Sequence, residues 1–112
     1  MCIFCKLANK EIDTEIVYED DDVFAFKDSN PQAPVHILFI PKKHIESLND
    51  INEENKDIIG KIYLAINKVV KDLGIDKEGY RVVTNTGELG GQSVMHLHFH
   101  LLGGRQMEWP RG

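Results

Sequence analysis

The chain has few of the residues that mark a specialised architecture: two cysteines, four prolines and one tryptophan in 112 positions. So few cysteines exclude the disulfide scaffold of small secreted domains and point to a reducing compartment, where thiols stay free or hold metal. Positive charge is also short. Thirteen Lys and Arg stand against 18 Asp and Glu, a net charge of −5, so the basic footprint that binds nucleic acid or an anionic membrane is missing. No nucleic-acid and no membrane partner is expected. No apolar run approaches the ~20 residues that span a bilayer. The opening MCIFCK does not show the charged-then-apolar order of a secretory leader, and a cytoplasmic location is expected. No repeat, low-complexity tract or linker composition interrupts the chain, so residues 1–112 read as one domain.

What is present is an ordinary globular composition, 42% hydrophobic and 28% charged, enough to build a core. Residues 15–19 and 23–26 read as strands around a turn at Asp20, Asp21 and Asp22. Residues 29–34 form a loop, since two prolines so close suit neither helix nor ladder. The β-branched run 35–40, ended by Pro41, reads as a central strand. A long helix is predicted from Ile58, Ile59, Ile62, Tyr63, Ile66, Val69, Val70 and Leu73, which recur at helical spacing. Asn52 is its expected N-cap, Lys68 and Lys71 suit its last turn, and Gly74 stands where a left-handed residue is wanted. Residues 80–84 and 95–102 supply two more strands. The sum is an α+β domain on a five-stranded antiparallel sheet.

Three of the five histidines lie in MHLHFHLL, residues 95–102. On a strand, side chains alternate between faces, so His96, His98 and His100 share one face and Leu97, Phe99 and Leu101 the other. A lone histidine is usually a core residue satisfied by one partner, but three at period two each need partners of their own. Two chemistries remain: imidazoles holding a transition metal, or one imidazole attacking phosphorus while its neighbours bind phosphate oxygens. Residues 85–93, NTGELGGQS, enter this strand. Glycines such as Gly91 let backbone approach an anion, and Asn85 and Ser93 add neutral donors. Beside three histidines this loop favours a phosphate pocket.

The stretch GGQSVMHLHFHLLGGRQM, residues 90–107, closely resembles the signature of the histidine triad (HIT) family, and within it the histidine triad nucleotide-binding branch of purine nucleoside phosphoramidate hydrolases. The resemblance extends over Phe26, Lys27 and Asp28, over PQAPVH (residues 31–36), over PKKH (41–44) and to Trp109 and Pro110. It implies a HIT-like fold with a short N-terminal helix, and a homodimer forming a continuous sheet, joined through the long helix and an edge strand. It implies further that His98 attacks the α-phosphorus of a nucleoside phosphoramidate or acyl-nucleotide, that water then releases the nucleoside monophosphate, and that no cofactor is required for catalysis. His100 and the backbone around Ser93 would bind phosphoryl oxygens, Ser93 and Asn85 the phosphate or leaving group, and His36 and His96 would complete the imidazole network. Asp28 matches the acceptor for the ribose hydroxyls, though an aspartate ahead of Ser29, Asn30 and Pro31 also starts a turn. Phe4, Leu7 and Phe26 match positions that sandwich the purine, and taken alone they read as core. Trp109 would border the partner's site, or else cover its own domain.

Cys2-x-x-Cys5 has metal-ligand spacing. By the same resemblance, a structural zinc would take Cys2, Cys5, His44 and His96. The leading expectation is therefore a hydrolase acting on purine nucleotides. The alternatives are a nucleotide-binding regulatory dimer with incidental turnover, and a zinc hydrolase using all three triad histidines.

Overall fold

The computed structural model describes residues 2–111. Helix α1 (Ile3–Ala8) is followed by strands β1 (Ile16–Glu19), β2 (Val23–Lys27) and β3 (Val35–Pro41), helix α2 (Asp57–Leu73), and strands β4 (Tyr80–Thr84) and β5 (Phe99–Gly103). The five strands form one sheet in the order β1-β2-β3-β5-β4, and every neighbouring pair is antiparallel. Among the described residues no helix is long and apolar enough to cross a membrane.

Alternation along the strands divides the interior in two. Val23 and Ala25 of β2, Ile37 and Phe39 of β3, and Phe99 and Leu101 of β5 face α2, meeting Ile62, Ala65, Ile66, Val69 and Val70. Phe24 and Phe26 of β2 and Leu38 and Ile40 of β3 face the other way, where α1 covers them with Phe4, Leu7 and Ala8. That second face also carries the histidines. His100 and His36 are diagonal neighbours on it, because Leu38 pairs with His100 and His36 with Leu102.

Three expectations need correction. The last strand starts at Phe99, not at residue 95. Its ladder with β3 stops at the Phe39–Phe99 pair, and beyond it side-chain bonds join a backbone bond from Leu97 N to Ile45 O. Thr84 Oγ1 donates to His98 O (2.8 Å), and the His96 ring bonds the carbonyl of Pro41 (2.8 Å). Helix α2 begins at Asp57, one turn later than expected. Asn52 does cap, but it caps the turn before the helix: its Oδ1 accepts from Glu54 N and Asn55 N, while Asn55 Oδ1 accepts from Asn52 N. The apolar stripe of α2 is also narrower than its spacing implies, since Tyr63 and Leu73 are exposed. Gly74 ends the helix in the left-handed region as expected (φ 74°).

Candidate active site

His98 is almost wholly buried, and its Nδ1 lies 2.7 Å from the carbonyl oxygen of His96. A carbonyl only accepts, so Nδ1 carries the proton and Nε2 is left with the lone pair. The backbone two residues upstream thereby sets the tautomer that makes an imidazole nucleophilic at Nε2.

A second chain of bonds fixes two more rings. The backbone N–H of Gln32 donates to His36 Nδ1 (3.0 Å). His36 must then hold its proton on Nε2, which points at His100 Nδ1 (2.9 Å) and has Asp28 Oδ2 at 3.4 Å. His100 therefore accepts at Nδ1 and presents N–H at Nε2. Burial pushes the His36 ring below its usual value, outweighing the charge of Asp28. Burial, reinforced by His98 and His36, pushes His100 down to about 4, so both rings are neutral at pH 7. Asp28, His36 and His100 place three potential ligand atoms within 4.8 Å of one another. The Gln32 amide nonetheless occupies the only lone pair of neutral His36, so this group is a hydrogen-bond chain and not a cation site.

His96 is turned to different work. Its Nε2–H donates to Pro41 O, leaving the Nδ1 lone pair facing Cys2 Sγ (3.4 Å), Cys5 Sγ (3.5 Å) and His44 Nδ1 (3.2 Å), with Cys5 Sγ also 3.3 Å from His44 Nδ1. A tetrahedral zinc with bonds of about 2.1 Å to nitrogen and 2.3 Å to sulfur spaces its ligand atoms by roughly 3.3–3.8 Å. The four side chains fit that ion in donor type and spacing. Burial, followed by the hydrogen bond and charge of Cys2, pushes the Cys5 thiol up, a shift that a divalent cation reverses. His96, held down to about 4 chiefly by burial, is in the neutral form that binds metal.

His98 and His100 open on a cleft of about 360 Å³ lined by Phe4, Leu7, Phe26 and Leu38 on its apolar side and by Asp28, Ser93 and the two rings on its polar side. Phe4 meets Phe26 and His98 edge-on, with ring centroids 5.4 and 5.1 Å apart. Asp28 starts the turn that its place ahead of Ser29, Asn30 and Pro31 predicts. Its Oδ1 accepts from Asn30 N to start the turn, and Oδ2 faces the imidazoles.

Not every expected residue reaches this cleft. Asn85 donates to Gly90 O (2.7 Å) and lines a neighbouring recess of about 370 Å³ that shares His100 with the cleft and also takes in His36. Gly91 has φ 81° and gives its N–H to Glu88 O, so it shapes the loop and has no free donor. Trp109 lies outside both recesses, exposed beneath the Arg111 guanidinium at 3.9 Å. The three triad rings do not converge on one point, since His96 belongs to the cysteine cluster. Reasoning from the sequence missed Gln92, which is buried. Its amide donates to Glu46 O and Val94 O and accepts from Gly87 N, tying the Gly-rich loop to the segment after His44. It also missed Gln32 and Pro41, which act through main-chain groups that no side-chain pattern reports.

Comparison with known proteins places the chain among relatives. The HIT domain model matches residues 9–107. An uncharacterized HIT-like protein of Synechococcus elongatus is 50% identical over 110 residues, covering 98% of this chain and 96% of that protein. A HIT family hydrolase from Legionella pneumophila superposes with TM-score 0.97 at 47% identity, with both chains covered completely. A histidine triad protein from Clostridium difficile gives 0.93 at 53% identity, covering 96% of this chain and 93% of that one. A histidine triad nucleotide-binding protein from Candida albicans gives 0.85 at 33%, covering 100% of this chain and 85% of that one.

Proposed function

The chain belongs to the HIT domain family, and on that footing we propose that its 112 residues act as one domain hydrolysing purine nucleoside phosphoramidates or acyl-nucleotides through a nucleotidyl-His98 intermediate. One observation carries this reading: the 2.7 Å bond from His98 Nδ1 to the His96 carbonyl, which leaves a nucleophilic Nε2 on a residue lining the cleft. The family relationship and the hydrolase and nucleotide-binding names of two relatives support it.

In this mechanism the purine lies between Phe4, Leu7 and Phe26, and Asp28 Oδ2 accepts from the ribose hydroxyls. His98 Nε2 attacks phosphorus. The ring turns cationic as the N–P bond forms, and its bond to the His96 carbonyl strengthens because the donor is now charged. His100 Nε2–H and Ser93 donate to the non-bridging oxygens as their charge grows, a preorganised electrostatic contribution that needs no rearrangement. The bond from phosphorus to the leaving amine or carboxylate breaks, an amine taking a proton from solvent. Water then attacks the nucleotidyl-imidazole and returns a proton to solvent, the N–P bond breaks, and the nucleoside monophosphate is released with the His98 Nε2 lone pair restored. Cys2, Cys5, His44 and His96 would hold a structural zinc, which supplies cross-linking and takes no part in these steps. The free edge of β4, with Tyr63 and Leu64 of α2 exposed on the outer surface (52% and 66%), is the proposed homodimer contact, and Trp109 would then border the partner's cleft.

Incubation with adenosine phosphoramidate is expected to yield adenosine monophosphate, and His98→Ala to reduce kcat by about 10³-fold or more. A wild-type protein no faster than the variant refutes the proposal. Tight nucleotide binding by both, without turnover, would make the protein a nucleotide-binding regulator instead.

A further inference from the structure

Helix α1 is six residues long, well below the ~12–15 at which an isolated helix becomes even marginal in water. Its N-cap Cys2 makes no side-chain capping bond. The backbone bonds of this segment, Lys6 N to Cys2 O, Asn9 N to Cys5 O and Glu11 N to Lys6 O, are internal to it. Two kinds of side chain tie it to the sheet. Phe4, Leu7 and Ala8 enter the apolar cluster beneath it, while Cys2 and Cys5 reach His44 and His96. Phe4 stands between the two cysteines in the chain and forms part of the cleft wall, edge-on to Phe26 and His98.

We propose that Cys2 and Cys5 are positioning residues for the nucleotide: bound with His44 and His96 to one tetrahedral cation, they clamp α1 onto the sheet and hold Phe4 and Leu7 against the base, so that metal occupancy sets nucleotide affinity and leaves the chemical step alone. This rests on the reading of the cleft as a nucleotide site. The division between affinity and chemistry comes from how each side of the cluster is anchored. His96 is fully buried with its ring on Pro41 O, and the next residue, Leu97, donates its N–H to Ile45 O (2.6 Å). The carbonyl that orients His98 therefore stays in place without the cation. Among the described residues α1 has no such second anchor, and without the cation three apolar side chains and, just beyond its end, a partly exposed Lys10–Glu19 pair would hold it.

The test uses Cys5→Ser in the full chain beside the wild type, with bound zinc, tryptic cutting after Lys6 and Lys10, and kinetics on adenosine phosphoramidate all measured. Zinc is expected to fall from near stoichiometric to near zero, and cutting after Lys6 to accelerate. KM should rise about tenfold, the equivalent of one aromatic contact, with kcat held within about twofold. Wild-type protein stripped by a chelator and reloaded with zinc should lose and regain the low KM, which keeps the test open if the variant does not fold. Zinc loss with KM and tryptic cutting unchanged overturns the proposal, and so does a fall in kcat at constant KM. So does wild-type protein that takes up no zinc. A wild type that neither binds nor turns over nucleotide refutes the nucleotide reading itself, and tryptic cutting with and without zinc then decides whether the clamp exists.

Discussion

At the scale of single residues, proton placement follows from neighbours that can only donate or only accept. The His96 carbonyl assigns His98, and the Gln32 amide assigns His36 and through it His100. The histidines themselves were legible in the sequence because period two puts His98 and His100 on one side of an extended segment. Their tautomers were not, because the deciding partners are main-chain groups brought close only by folding. A pH dependence of stability follows. An unfolded histidine titrates near 6.5 and folded His100 near about 4. Between those values the unfolded chain takes up a proton that the folded chain refuses. The contribution is complete above about 6.5 and is lost as pH falls toward about 4. Chemical denaturation at steps across that window should show stability declining with acidity, and His100→Asn should flatten the decline. An unchanged slope would contradict the assignment.

At the scale of elements, strand β4 lies where its apolar run puts it, at residues 80–84, and the Gly74 stop of α2 was legible from residue type. The late start of β5 was not. Pro41, having no N–H to extend a ladder, leaves its carbonyl to the His96 ring, and a pattern of alternating side chains reads the same with or without backbone pairing. The two glycines of the α2 region predict opposite effects. A Cβ at Gly60 or at Gly74 meets nothing within 4 Å, but Gly74 sits at φ 74° while Gly60 lies within the helix. Gly74→Ala should destabilise by about 1 kcal/mol through left-handed backbone strain. Gly60→Ala should stabilise by about 0.5–1 kcal/mol through helix propensity. Urea denaturation of the two variants checks the signs, and the same sign for both would contradict this account.

At the scale of the whole molecule, one sheet separates a stabilising face from a working face. Strand β5 and the residue before it serve both, with Phe99 and Leu101 turned to α2 and His98 and His100 to the cleft. Leu101 is fully buried between sheet and helix, and Leu101→Ala is expected to cost roughly 2–5 kcal/mol of unfolding free energy, a large share of the ~5–15 kcal/mol typical of a domain. A loss below about 1 kcal/mol would mean that this face does not carry the core. The apolar side of β5 was legible from alternation, whereas the cover that α1 supplies to the other side of the sheet depends on contacts far apart in sequence. The central claim is that His98 forms a covalent bond to phosphorus, and acid-free rapid quenching of turnover on adenosine phosphoramidate, followed by peptide mass spectrometry, tests it most directly. An adenylyl group on the peptide containing residue 98, absent from His98→Ala, is the predicted result. Turnover with the adduct on another residue, or undiminished turnover by His98→Ala, would contradict it.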